Sequence, residues 1–121
     1  MSMKLTITAL IVGTLIVAAP GCGDKCRNET VAVVPSPSGK ARAIVFHRKC
    51  GATTDANTQV AVLPLSASHA NIPGNALIVA GDVPLQVRWD SDASLQISGL
   101  GDARVFKQND AAADVSIAYA R

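Results

Sequence analysis

Short apolar runs with a period of two, each ended by turn-forming residues, restrict the fold of this chain most strongly. The clearest run is 83–89, in which apolar residues at every second position alternate with Pro84, Gln86 and Arg88. Such alternation is typical of a β-strand with one buried face. After residue 22 no stretch keeps the 3.6-residue period of a helix, and only 110–114 is compatible with a single helical turn.

The pattern predicts an all-β domain of seven or eight short strands. The predicted strands are 30–34, 41–49, 58–65, 76–80, 83–89, 94–98, 103–108 and 115–119. Short strands separated by turn signals favour a single small antiparallel β-sandwich or a barrel-like domain. Neighbours in sequence are expected to pair as hairpins. The run 41–49 has apolar residues on both faces, which predicts a central position in a sheet.

Residues 1–21 have the organisation of a secretory signal peptide. Lys4 gives a positive start, and the uncharged run Leu5–Ala19 follows it. Signal peptides combine such a start with an apolar region of about 7–15 residues and a cleavage site of small residues. The run is shorter than the roughly 20 apolar residues that span a bilayer. A cleaved signal is therefore favoured over a permanent membrane span.

Residues 19–22 resemble the lipobox of bacterial lipoproteins, although Ala19 stands where leucine is usual and Pro20 is uncommon at its position. The resemblance implies cleavage before Cys22 and a diacylglycerol, with palmitate-type chains, on its sulfur. Each buried CH₂ contributes about 0.8 kcal/mol, so two chains form a stable anchor. Gly23 in place of Asp implies sorting to the outer membrane. The alternative is ordinary cleavage that leaves Cys22 as a thiol.

The chain has 3 cysteines, and an odd number in an exported protein needs an explanation. Lipidation of Cys22 leaves Cys26 and Cys50 as a pair, and export places them where disulfides persist. We therefore predict a Cys26–Cys50 disulfide, worth about 3.5 kcal/mol in the chain-entropy account. Nucleophilic catalysis by Cys50 with His47 is disfavoured, because these two positions of a strand point to opposite faces. The predicted organisation is a signal peptide over 1–21, a lipid-anchor tether over 22–29 and a β-rich domain over 30–121.

Several segments resemble a family of small exported bacterial β-rich proteins. They are 27–29, the turn 36–40, the run 46–54, 87–89 and 104–106. The resemblance covers most of residues 26–120 and implies export and a β-rich fold. No activity is established for that family, so the resemblance implies no catalytic residues. Ser38 stands where the turn more commonly has Asp.

No motif in the sequence supplies catalytic or cofactor-binding machinery. The segment 35–41 lacks the first glycine and the Ser or Thr of a phosphate loop, and 99–101 lacks the third glycine of a dinucleotide site. Asp90 and Asp92 offer paired carboxylates for Ca²⁺, but a charged hairpin turn is favoured. The two histidines lack companions at zinc-ligand spacing, and His69 is expected to be solvated. We therefore predict no enzyme, no cofactor and no metal site.

Charge is nearly balanced, with 11 Lys and Arg against 9 Asp and Glu, and aromatic residues make up 3% of the chain. Nucleic-acid binding uses clustered basic residues and stacking aromatics, so no nucleic-acid partner is predicted.

The loop after Cys50 is the predicted recognition surface, with Gly51, Ala52, Thr53 and Thr54 as its first residues. Loops on a rigid scaffold often carry function, and a disulfide at the loop's start limits the entropy lost on binding. A plain connector is the alternative.

We expect a membrane-anchored envelope lipoprotein, on the outer-membrane or periplasmic side, whose β-domain binds a protein or envelope component. The alternative is a small periplasmic enzyme inhibitor or immunity-like protein that plugs an enzyme cleft with a loop such as 51–57. A hydrolase with an atypical site is the third hypothesis.

Overall fold

The computed structural model describes residues 25–51 and 55–121, and these residues are all-β. Its strands are β1 (Cys26–Pro35), β2 (Ala41–Cys50), β3 (Asn57–Pro64), β4 (Leu77–Ala80), β5 (Gln86–Ser91), β6 (Ser94–Ser98), β7 (Val105–Gln108), β8 (Ala111–Ala112) and β9 (Val115–Tyr119). The predicted fold class is thus confirmed. The predicted signal peptide and Cys22 lie outside the described residues. Within those residues there is no helix that could cross a membrane.

The strands form two sheets that pack against each other as a small β-sandwich. The larger sheet has the order β1-β2-β3-β4-β7, and the smaller has the order β5-β6-β9-β8. Hairpin pairing dominates, as predicted, and β2 lies inside the larger sheet. Among the described strands, β6 and β9 form the one parallel pair. That pairing joins segments far apart in the sequence, so it was not predicted.

One core fills the space between the sheets. Its buried side chains come from both layers and are Ala43, Val45, Val60, Val62, Ala76, Leu77, Val79, Leu95, Ile97, Leu100, Val115 and Ile117. The run 83–89 packs its alternate apolar residues against this core, as its period predicts. All of these residues and both paired cysteines lie in the described part, so the chain from residue 25 onward contains a core of its own.

A second apolar cluster lies on the outer face of the larger sheet and consists of Ile44, Phe46, Ala61 and Leu63. The segment 65–76 crosses this face, and its Ala67 packs on the cluster. The two faces of β2 are therefore covered by different layers. This is why apolar residues occupy four consecutive buried positions of that strand.

His69 lies in this crossing segment and corrects the expectation that it is solvated. Its ring lies 4.7 Å from the ring of Phe46, centroid to centroid, and its Nε2 is buried with no hydrogen-bond partner in the described residues. Burial, and then the charges of Arg42 and Arg48, lower the pKa of His69. A loop that lies across a sheet face buries the side chains it turns toward the sheet, and its polar composition does not reveal this.

Asn75 attaches the end of the crossing segment to β3. Its side-chain amide takes the place of a neighbouring strand, a role we call the substitute strand. Its Oδ1 accepts the N–H of Val62 at 2.7 Å, and its Nδ2 donates to the carbonyl of Val62 at 2.8 Å. At the other end of the segment, the guanidinium of Arg42 donates to the carbonyls of Leu65 and Ala67. The segment is thus attached by side chains where no strand ladder exists.

Several predicted strand boundaries change. β5 begins at Gln86 rather than at residue 83, and β7 begins at Val105 rather than at residue 103. β1 begins at Cys26 rather than at residue 30, because residues 26–29 of the predicted tether pair with 47–50 of β2. The segment 110–114, whose sequence is compatible with a single helical turn, contains β8 and a two-residue turn. In that turn Ala113 and Asp114 have φ values of 50° and 63°, as in a type I′ hairpin turn.

Candidate functional site

The predicted disulfide is present and closes the open end of the β1–β2 hairpin. The Sγ atoms of Cys26 and Cys50 are 2.00 Å apart, and the two residues are direct partners in the strand register. The N–H of Gly51 donates to the carbonyl of Lys25 at 3.2 Å. The cysteines therefore occupy the neighbouring non-hydrogen-bonded pair, where the Cα atoms of two strands approach most closely. We call this part of the sandwich the disulfide end.

The predicted recognition loop starts at the disulfide end. Gly51 follows the bridge directly and has a φ of 90°. Ala52, Thr53 and Thr54 lie outside the described residues, as does Cys22. The chain enters the described part at Lys25, beside Gly51, so the first described residue and the start of the loop are neighbours.

Asn28 and Asn71 attach the crossing segment to the disulfide end. The side chain of Asn71 accepts the N–H of Asn28 at 3.1 Å and donates to the carbonyl of Cys26 at 2.5 Å. Asn28 also donates to the carbonyl of Ile72 and accepts from the guanidinium of Arg48. The outer face of this end is therefore occupied by internal hydrogen bonds.

His47 lies on the opposite face, between two carboxylates. Its Nε2 is 2.9 Å from Oδ1 of Asp82, and its Nδ1 is 3.8 Å from Oε1 of Glu29. The carboxylates are about four-fifths exposed, whereas the imidazole is 25% exposed. The arrangement connects β1, β2 and the turn after β4. Cys50 lies on the other face in its disulfide, so no Cys–His dyad forms.

The hydroxyl nearest to this arrangement in the strand register is already engaged. Thr58, the β3 partner of His47, donates to the carbonyl of Gly81 at 2.6 Å and accepts the N–H of Val83 at 2.9 Å. In the part of the chain that the structure describes, no group of three or more His, Cys, Asp or Glu side chains is placed to hold a metal ion. The contacts of His47 with the two carboxylates therefore hold β1, β2 and the turn after β4 in position.

An exposed aromatic side chain lies on β7, the edge strand of the larger sheet opposite to β1. Phe106 on β7 is 56% exposed, and the guanidinium carbon of Arg104 lies 5.3 Å from its ring centroid. Beside the ring is a groove of about 450 Å³ lined by Phe106, Ala80, Gly81 and residues 55–57. Phe106 is the extra residue at a register shift between β4 and β7, and its neighbour Val105 is also exposed, at 41%. The sequence contained no signal of this exposure, because adjacent apolar residues are buried on both faces of β2.

Three cationic side chains lie on one face of the hairpin's open end. Arg27 is the direct partner of Lys49, and Lys25 is beside Gly51. Together they line an open hollow of about 330 Å³, which we call the cationic hollow. No salt bridge within the described residues joins any of the three to a carboxylate. This cluster was not predicted from the sequence because residues 22–29 were assigned to a tether, although Arg27 and Lys49 directly flank the predicted disulfide.

The two aspartates considered for Ca²⁺ lie at the opposite end of the sandwich. Oδ1 of Asp92 accepts the N–H of Ser38 at 2.9 Å, and this hydrogen bond lowers the pKa of Asp92. Oδ1 of Asp90 is 3.4 Å from the guanidinium of Arg88. Asp92 therefore joins the β5–β6 turn to the β1–β2 turn, and the other aspartate pairs within its own hairpin.

Comparison of the chain with protein-family models, with curated proteins and with solved structures finds no match. The resemblances to bacterial lipoproteins and to a family of small exported proteins thus stay predictions. The function has to be inferred from the residues that the structure describes.

Proposed function

We propose that this protein is an exported, lipid-anchored envelope protein whose β-sandwich is a non-enzymatic binding domain. The observation that carries the proposal is the Cys26–Cys50 disulfide. Disulfides persist in oxidising compartments and are rare in the cytosol, which agrees with a signal peptide over 1–21. Because Cys26 and Cys50 bind each other, Cys22 is the cysteine left for acylation.

The surface around Phe106 is the binding surface in this proposal. An exposed aromatic side chain beside a groove is a typical anchor for a protein partner, because aromatic residues are enriched at binding hot spots. Arg104 restrains the ring from one side, which reduces the entropy lost on binding. The strand that carries Phe106 is paired with β4 in the larger sheet, which positions the ring beside the groove.

A non-enzymatic role agrees with the state of the polar side chains near the groove. Thr58 uses its hydroxyl in two backbone hydrogen bonds, and His47 is held by Asp82. An activated nucleophile needs a hydroxyl or thiol that is held by a base and open to substrate. Neither Thr58 nor the paired cysteines meet that description.

A second candidate function is a periplasmic inhibitor or immunity-like protein. The observation that favours it is the disulfide at the start of the 51–57 loop, with the described residues of that loop lining the Phe106 groove. Protein inhibitors bind well when their contact loops are held in the bound shape before binding. In that case the partner is an envelope hydrolase.

Mass spectrometry of the protein from the membrane fraction tests the anchor. We expect a mature chain that begins at Cys22 and carries a diacylglyceryl modification. The Cys22→Ser variant should keep its leader and lack lipid. An unmodified Cys22, or a full-length cytosolic protein with three free thiols, would contradict the proposal.

Affinity capture from envelope extracts tests the binding surface, with Phe106→Ala as the variant and Leu65→Ala as the matched control. Leu65 is also an exposed apolar residue, 62% exposed, but it lies beside Lys40 at the opposite end. We expect a stoichiometric partner whose affinity falls at least about 30-fold with Phe106→Ala, as for a hot-spot residue worth ~2 kcal/mol or more. The control should keep the partner. Equal effects of both variants, or no effect of Phe106→Ala, would rule out this surface, and a hydrolase partner would favour the inhibitor.

A further inference from the structure

The cationic hollow contains an arrangement that is unfavourable within the fold. Arg27 and Lys49 are direct cross-strand partners, and like charges in such positions destabilise a sheet. Lys25 adds a third positive charge on the same side. Glu29, two positions along β1 on this face, contacts His47 instead. The described residues thus leave the three cations without a carboxylate, and an external anion would remove the repulsion.

The position of the hollow indicates where such an anion would come from. The hollow includes Lys25, the residue at which the chain enters the described part, and Cys22 precedes Lys25 by three positions. An extended chain covers at most ~3.6 Å per residue, so the Cα atoms of Cys22 and Lys25 are no more than about 11 Å apart. That distance is close to the Debye length of about 8–10 Å at physiological salt.

We propose that Lys25, Arg27 and Lys49 contact the anionic phospholipid headgroups of the membrane that holds Cys22. The inference rests on the proposed lipid anchor, which would bring this face to the bilayer. Arg and Lys both bind phosphate groups, and juxtamembrane cations strengthen association with anionic lipids. The contact would set the orientation of the domain, with the disulfide end toward the membrane.

This orientation differs from that of a domain that moves freely on its anchor. The turns that contain Ser38 and Asp92 lie at the other end of the sandwich and would face away from the membrane. Phe106 lies about midway along the larger sheet, and its groove extends toward the disulfide end at Asn57 and Ala80. The proposed contact would therefore place the groove on the half of the domain nearer the membrane.

Vesicle binding by residues 22–121 with Cys22→Ser tests the contact without the anchor. This chain contains the whole described core and both paired cysteines. Partition onto vesicles of equal parts phosphatidylglycerol and phosphatidylcholine is compared with partition onto phosphatidylcholine alone. We expect a preference for the anionic vesicles that weakens with added salt. The Arg27→Gln/Lys49→Gln variant should lower the partition coefficient about 30-fold, the loss expected for two cations at an anionic surface.

The matched control is Lys40→Gln/Arg88→Gln, which removes the same charge away from the hollow. Lys40 belongs to the turn between β1 and β2, and Arg88 pairs with Asp90. The control should change the coefficient less than about threefold, because screened charges act over only a Debye length. Intact disulfides and similar thermal midpoints establish that both variants are folded.

Three results would overturn the inference. The first is equal partition onto anionic and neutral vesicles, and the second is an equal decrease of the partition coefficient in the two double variants. The third is saturable binding of free glycerol phosphate at this hollow in the absence of vesicles. An acylated Cys22 together with no vesicle preference would refute the headgroup contact and leave the proposed function intact. Vesicle preference with an unmodified Cys22 would support the contact and refute the anchor.

Discussion

The substitute-strand role of Asn75 leads to a quantitative prediction for Asn75→Ala. Val62 has no exposed surface, and both of its backbone groups on this side are satisfied by the Asn75 amide. A buried backbone group that loses its partner costs about 1–3 kcal/mol. Asn75 is half-buried, so water can replace part of the loss. We expect Asn75→Ala to lower the free energy of unfolding by about 2–4 kcal/mol.

Urea and thermal unfolding of the oxidised protein measure this change. For a domain of this size, 1 kcal/mol shifts the melting temperature by about 4–8 °C, so a decrease of roughly 10–30 °C is expected. Asn75→Asp separates the two hydrogen bonds, because a carboxylate still accepts the Val62 N–H but cannot donate to its carbonyl. This variant should be at least as unstable as Asn75→Ala at neutral pH and should recover at acidic pH, where the carboxyl regains a proton. If both variants are within about 0.5 kcal/mol of the wild type, as surface substitutions usually are, the substitute-strand role is wrong.

Two further predictions concern His69 and the β8–β9 turn. The pKa of His69 is lowered in the folded state, so the unfolded chain takes up a proton first as the pH is lowered below 6.5. The free energy of unfolding should therefore decrease as the pH is lowered, until the folded protein is protonated as well. Urea unfolding across this range should show the loss in the wild type and a smaller loss in His69→Phe; identical pH profiles would contradict the assignment. In the turn, left-handed φ costs a residue with a Cβ about 1–2 kcal/mol, so Ala113→Asn/Asp114→Gly should raise the free energy of unfolding by about 1–2 kcal/mol. Ala93→Gly, in a turn without positive φ, is the control and should give no gain.

The sequence predicted the strands and their buried faces better than it predicted which segments pack on those faces. Alternation identified Leu95 and Ile97 as inward residues, and both have no exposed surface. The doubly apolar run of β2 indicated burial on both sides but not that the polar segment 65–76 supplies the second cover. That cover depends on hydrogen bonds such as Asn75 to Val62, which join residues with no periodic relation in sequence.

Of the candidate site, the part predicted from the sequence and found in the structure is the disulfide. The pairing of Cys26 with Cys50 was predicted from the odd number of cysteines together with the predicted lipidation of Cys22, and the disulfide is present. The cationic hollow and the His47 arrangement depend on the β1–β2 register and on the turn after β4. A register cannot be read from charged residues, since they carry no alternation that distinguishes one pairing from the next.

The parallel pairing of β6 with β9 also determines when the domain can fold. Val115 and Ile117 complete the core from a strand made late in synthesis, and the smaller sheet has no link between β6 and β8 without it. A nascent chain that has not yet reached residue 119 would expose the inner side of Leu95 and Ile97. The smaller sheet therefore cannot be completed before β9 has been synthesised, because β9 lies between β6 and β8.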